Sequence, residues 1–157
     1  TLVYMDGMTP SKLLKAVSKG HVIVARYITM EVYFLFENKK YLPGDRMEIT
    51  GDSEFKNDIV ASVTIKINEE TYGKNIIPEL YLIENGVKRE VGLEKRDERT
   101  YMADVVTNWH TIEWEWKRFE VLSKDYGFLG YVNPIFHGRK KSKLKTFGEA
   151  VQLWRGQ

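Results

Sequence analysis

Two short runs, Glu79-Leu80-Tyr81-Leu82-Ile83-Glu84 and Val87 to Leu93, are separated only by Asn85-Gly86. A two-residue type I′ turn needs positive φ at both central positions, and Asn-Gly tolerates both. The stretch therefore predicts an antiparallel β-hairpin. Further strands are predicted at His21 to Ala25 and Ile28 to Phe36, both rich in Val, Ile, Tyr and Phe. Asp58 to Ile67 alternates, so Ile59, Ala61, Val63, Ile65 and Ile67 share one face. Asn38-Lys39-Lys40 and Leu42-Pro43-Gly44-Asp45 carry turn chemistry.

Helix signals bracket these strands. In Met8-Thr9-Pro10-Ser11-Lys12-Leu13-Leu14, Thr9 is placed to cap and Pro10 suits the first helical position. Met8 and Leu13 occupy the hydrophobic-staple positions. Leu13, Leu14, Ala16 and Val17 form the expected buried face, Lys12, Lys15 and Lys19 lie opposite, and Gly20 supplies the stop.

The segment 102–124 satisfies two periods. Ile112, Trp114 and Trp116 alternate as in a strand, whereas Val105, Trp109, Ile112, Trp116 and Phe119 fall at helical spacing. The longer helical pattern, the i,i+4 pairs Glu113–Lys117 and Glu120–Lys124, and a helix-end signal at Lys124-Asp125-Tyr126-Gly127 favour a helix. Phe128 to Phe136 reads as a strand or extended connector. Thr146-Phe147-Gly148-Glu149 has capping-box spacing and opens a C-terminal helix, about Phe147 to Arg155. The expected architecture is α+β: one domain, residues 1–157, whose central, mostly antiparallel sheet is flanked by an N-terminal helix, a long helix near 102–124 and a C-terminal helix.

Composition narrows the chemistry. With 43% hydrophobic and 13% aromatic residues the chain can form a packed core. No apolar run approaches the ~20 residues of a spanning helix, so no membrane partner is expected. The absence of cysteine excludes disulfides, cysteine-ligated zinc and thiol nucleophiles. Thr1 to Gly7 has no secretory pattern, and an intracellular setting is expected. His21, His110 and His137 show no metal-ligand spacing, and no phosphate-binding glycine loop, nucleophile elbow or dinucleotide fingerprint occurs. Scarce Gln and Cys beside abundant Lys, Glu, Tyr and Ile resembles the composition of small proteins from hyperthermophilic archaea and their viruses.

The near-neutral charge balance breaks at Arg139, Lys140, Lys141, Lys143 and Lys145, which run into the Thr146 cap. Side-chain cations beside helix N–H groups suit phosphate, which predicts a DNA or other polyanion partner. His137 adjoins the run, and Tyr131 and Phe136 can stack on bases if exposed. Lys12, Lys15 and Lys19 either extend this patch or form a solvated helix face.

Metal-assisted phosphodiester cleavage needs converging carboxylates with a nearby lysine. Gly44-Asp45 followed by Glu54-Phe55-Lys56 resembles the short pattern of the restriction-endonuclease-like nucleases. The resemblance implies cleavage of DNA, with Asp45 and Glu54 on Mg²⁺ or Mn²⁺ and Lys56 beside the reacting water. It departs from the family in having Gly before Asp45 and a polar, turn-like setting for Glu54. Glu37-Asn38-Lys39 and Glu115-Trp116-Lys117 repeat the Glu-x-Lys spacing. Glu79 is a further candidate ligand and Glu84 a further candidate catalytic acid. Being five residues apart, they fall on opposite faces of a strand. Trp114 lies off the helical stripe of Trp109 and Trp116 and is a candidate partner contact. The leading expectation is a nucleic-acid-binding protein, extended to metal-dependent nuclease activity. The alternative is a non-catalytic viral or accessory assembly protein that self-associates through an aromatic surface.

Overall fold

The computed structural model describes residues 1–47, 58–71, 75–109 and 114–138. Glu54, Lys56, the basic run from Arg139 to Lys145 and the expected C-terminal helix lie outside the described residues.

The α+β expectation is corrected: among the described residues 58% are strand and 10% helical, in two sheets with one α-helix. In chain order the elements are β1 (Leu2–Val3), α1 (Pro10–Ser18), β2 (Val22–Ala25), β3 (Ile28–Phe36), β4 (Lys39–Tyr41), β5 (Arg46–Met47) and β6 (Ile59–Ile67). They continue as β7 (Glu79–Glu84), β8 (Val87–Val91), β9 (Glu94–Lys95), β10 (Thr100–Thr107), β11 (Trp114–Ser123), β12 (Gly127–Val132) and β13 (Ile135–Gly138).

One sheet is an antiparallel run in the order β4-β3-β6-β10-β9. The other is built on β11. One edge of β11 pairs with β7, which carries β8 through the Asn85-Gly86 turn, with φ of 50° and 92° at the two turn residues. The other edge pairs with β12 over Glu120 to Ser123 and with β13 over Trp114 to Lys117. β12 and β13 thus act as one long strand interrupted at Asn133-Pro134. Beyond it, β2 and β1 extend one half and β5 joins the other in parallel. The sheets pack face to face over one core. Phe34 of β3 stacks on Phe119 of β11 with ring centres 5.9 Å apart, joining the two layers.

The long helix near 102–124 is replaced by β10 and β11. Burial alternates strictly along β11, with Glu115, Lys117, Phe119, Val121 and Ser123 inward. The strand period was disguised because two inward positions are charged. Glu113–Lys117 is not a surface helical pair: Lys117 points into the core.

Helix α1 forms as expected, with Lys12 N donating to Thr9 Oγ1 at 3.4 Å. Its packing differs. Only Ala16 is buried, while Leu14 is 70% and Met8 90% exposed, so the staple is not made. Short contact with β1 leaves most of the apolar stripe facing outward.

The end of α1 is fixed by a close backbone crossing. Asn133 Nδ2 donates to Gly20 O at 2.9 Å and Gly44 N donates to Pro134 O at 3.0 Å. Gly44 has φ of 95°, and a Cβ there would meet Lys19 O at 2.4 Å and Gly20 C at 2.5 Å. Both the left-handed conformation and the contact require glycine. Gly44→Ala is expected to cost about 2 kcal/mol, measured as a drop in the urea midpoint; an unchanged midpoint would refute the crossing.

Candidate nucleic-acid interface

Because inward residues on β11 occupy odd positions, Trp114, Trp116, Arg118, Glu120 and Leu122 face outward. In an antiparallel pair, directly opposite residues share a face. Trp116 is opposite Phe136, Glu120 is opposite Tyr131, and Leu122 is opposite Phe128. The outer face of this sheet therefore carries a line of aromatic side chains along β11, β12 and β13. From Trp114 to Leu122 it extends about 26 Å.

The rings are ordered against one another. Trp114 stacks on Phe136 with centres 5.2 Å apart and planes 25° from parallel. Phe128 lies 5.8 Å from Tyr131. Arg118 sits between, its guanidinium carbon 5.9 Å from the Trp116 ring centre and 5.6 Å from that of Tyr131. Among the described residues its buried Nε has no hydrogen-bond partner and no carboxylate pairs with Arg118. The aromatic side chains are partly exposed, with Phe128 at 41%. Toward β8 the face becomes mixed in charge, where Lys88 lies over the Tyr81 ring at 4.1 Å and 3.7 Å from Glu120.

Beneath the tryptophans lies the other half of the alternation. Lys117 and Glu115 are both 0% exposed. Lys117 Nζ donates to Glu84 Oε1 at 2.6 Å and to Glu115 Oε1 at 2.8 Å. Thr107 Oγ1 donates to the same Glu84 oxygen at 2.5 Å, and Arg89 Nε donates to Glu84 Oε2 at 3.2 Å. The Trp109 ring lies 5.0 Å from Lys117 Nζ and 5.4 Å from the His137 ring. This buried cluster and the exposed aromatic line have one cause. Phe119 and Val121 must face the core, and strict alternation then carries Glu115 and Lys117 inward and Trp114 and Trp116 outward.

Burial alone would raise the Glu84 pKa. The bonds from Lys117 and Thr107, the Lys117 charge and the Arg89 bond outweigh it, holding Glu84 at about 2 against an ordinary 4.5. A depressed carboxylate contributes stability above its unfolded pKa and loses it as pH falls through the folded one. Acid destabilisation is therefore expected between about pH 4.5 and 2. The shift corresponds to about 3 kcal/mol. Solvent reaches one edge of the carboxylate, and screening there leaves about 1–2 kcal/mol. Glu84→Gln should flatten the urea stability profile across this window; an unchanged profile would exclude Glu84 as its source.

The sequence candidates fall in separate places. Asp45 Oδ1 lies 2.8 Å from His21 Nε2, and Asp45 Oδ2 accepts from Leu42 N at 2.8 Å, so Asp45 closes its own turn. Glu79 accepts from Tyr81 Oη at 3.1 Å on the opposite face of β7 from Glu84. Among the described residues no three carboxylate or imidazole groups come together in a way that could hold a metal ion. His137 faces inward at 5% exposure, and neither ring nitrogen has a hydrogen-bond partner among the described residues. Tyr131 and Phe136 do reach the outer face, and Trp114 is partly exposed. Trp116 and Arg118 were missed because the helical period hid them; the strand alternation of Ile112, Trp114 and Trp116 was their signal.

No family model, curated protein or solved structure matches the chain. No helix among the described residues is long and apolar enough to cross a membrane.

Proposed function

We propose that this protein binds single-stranded nucleic acid on the outer face of the β11–β12–β13 sheet. The observation that carries this reading is Arg118 held between Trp116 and Tyr131, in a line with Trp114, Phe136 and Phe128. Aromatic rings on a strand face offer stacking surfaces to unpaired bases, and a guanidinium among them adds charge for the backbone. Duplex bases are already stacked and cannot use such a platform. Chain connectivity supports the same reading: Arg139 directly follows Gly138, whose register partner is Trp114. The basic run through Lys145 is thereby tethered to one end of the platform and supplies sequence-independent phosphate attraction. Metal-dependent cleavage forms no part of the reading, because Asp45, Glu79 and Glu84 lie apart and each is engaged by other side chains.

Fluorescence anisotropy with a labelled oligo(dT), repeated over a salt series, tests the proposal. Affinity should fall as salt rises, with intrinsic tryptophan fluorescence quenched on binding. The same oligonucleotide in a duplex should bind more weakly. No binding at low salt would overturn the proposal. Concentration-dependent oligomers without a salt-dependent oligonucleotide affinity would instead favour the assembly reading, in which the aromatic face meets a second copy.

A further inference from the structure

A concave site lies away from the aromatic platform. β4 pairs with β3 only over Phe34 to Phe36, so among the described residues the edge of β3 around Glu31 to Tyr33 has no strand neighbour. Tyr4 occupies part of the gap, its Oη accepting from Val32 N at 2.8 Å. Helix α1 stands across from this edge, and the space between them is a cleft of about 610 Å³. That volume lies within the ~300–1,000 Å³ range of small-molecule sites.

The charge in the cleft is unbalanced. Lys12 and Lys15 line it from α1, Lys19 from the C-cap of that helix and Lys40 from β4, against only Asp6 and Glu31 among the described residues. None of the four lysines forms an ion pair among the described residues. Lys40 is instead placed over the Tyr33 ring, 4.2 Å from its centre. Lys12 and Lys15 stand three residues apart and Lys15 and Lys19 four apart, so these like charges are neighbours on one helix face and repel. A solvated helix face can spread such charges into water. Here they border one cavity whose opposite wall supplies a fourth cation.

We infer that the cleft between α1 and the β3 edge binds a small polyphosphate-bearing ligand of nucleotide size. Lysines lining one cavity can offer their ammonium groups to several phosphate oxygens at once, each through a charge-assisted hydrogen bond. The ligand relieves the repulsion between the lysines. The site is independent of the aromatic platform, since it shares none of the platform's side chains.

Isothermal titration calorimetry at low ionic strength with tripolyphosphate, ATP and adenosine tests the inference. Tripolyphosphate and ATP should bind and adenosine should not. The double substitution Lys15→Ala/Lys19→Ala should weaken both anions by at least about tenfold. The charge-conserving pair Lys15→Arg/Lys19→Arg should retain most of the affinity, and Trp116→Ala/Arg118→Ala should leave it unchanged. Both lysines are exposed, so circular dichroism should show the alanine variant folded. Absence of binding by either anion, equal binding of adenosine, or loss in the Trp116/Arg118 variant rather than the lysine variant would overturn the site. Oligonucleotide binding by the Lys15/Lys19 variant reads the aromatic platform separately, so the two sites can fail independently.

Discussion

Lys117→Met is expected to destabilise the protein by about 3–5 kcal/mol, because it leaves two carboxylates in the core without their shared cation. Glu115 is fully buried and Glu84 largely so, and Lys117 donates to both. A domain of this size has only about 5–15 kcal/mol of total stability, so the loss should appear as a large shift of the guanidinium midpoint. The cost is that of breaking the cluster, not of lacking it. Replacing it together, as Glu84→Gln, Glu115→Met and Lys117→Met, should recover most of the lost stability, since an apolar substitute for a buried ion pair is commonly neutral or better. A loss below about 1 kcal/mol for the single variant would show that Lys117 does not neutralise these carboxylates.

Trp116→Ala combined with Arg118→Ala should weaken oligo(dT) binding by about 3 kcal/mol, or a hundredfold or more. A stacked base contributes about 1–3 kcal/mol, and the guanidinium adds a phosphate or cation–π contact. Both side chains point away from the core, so thermal unfolding should move little. The salt dependence separates their roles. Arg118→Ala alone should lower the slope of log K against log salt by about 0.7, the single-strand value per phosphate contact. Trp116→Ala alone should reduce affinity at every salt concentration with the slope intact. Unchanged affinity in the double variant would remove this face from the binding reading.

Local chemistry was legible where neighbours in sequence decide the outcome. The Asn85-Gly86 hairpin and the Thr9 cap with Pro10 follow from backbone preferences of one or two residues. Clean alternation likewise marked β6, whose predicted face from Ile59 to Ile67 is the buried one. The segment 102–124 misled because helix and strand periods coincided on several apolar residues. Glu115 and Lys117 also look like surface residues in any reading confined to this segment. Glu84, the second carboxylate that Lys117 donates to, comes from β7, more than thirty residues earlier. The same distance explains why Glu115-Trp116-Lys117 read as a repeat of a short pattern, with nothing to show that Glu84 would join it.

The amino-acid sequence alone thus determined the turns, the cap, the clean strands and the concentration of cations after Gly138. Which face β11 turns to solvent was decided only by tertiary structure. Phe119 and Val121 seat against the opposing sheet, and the two-residue period of the strand transmits that choice to every other side chain. Glu84 makes the resulting burial of Lys117 tolerable by neutralising it across the β7–β11 ladder. Trp114, Trp116 and Arg118 are left outside by the same alternation, where they form the aromatic face proposed to bind unpaired bases.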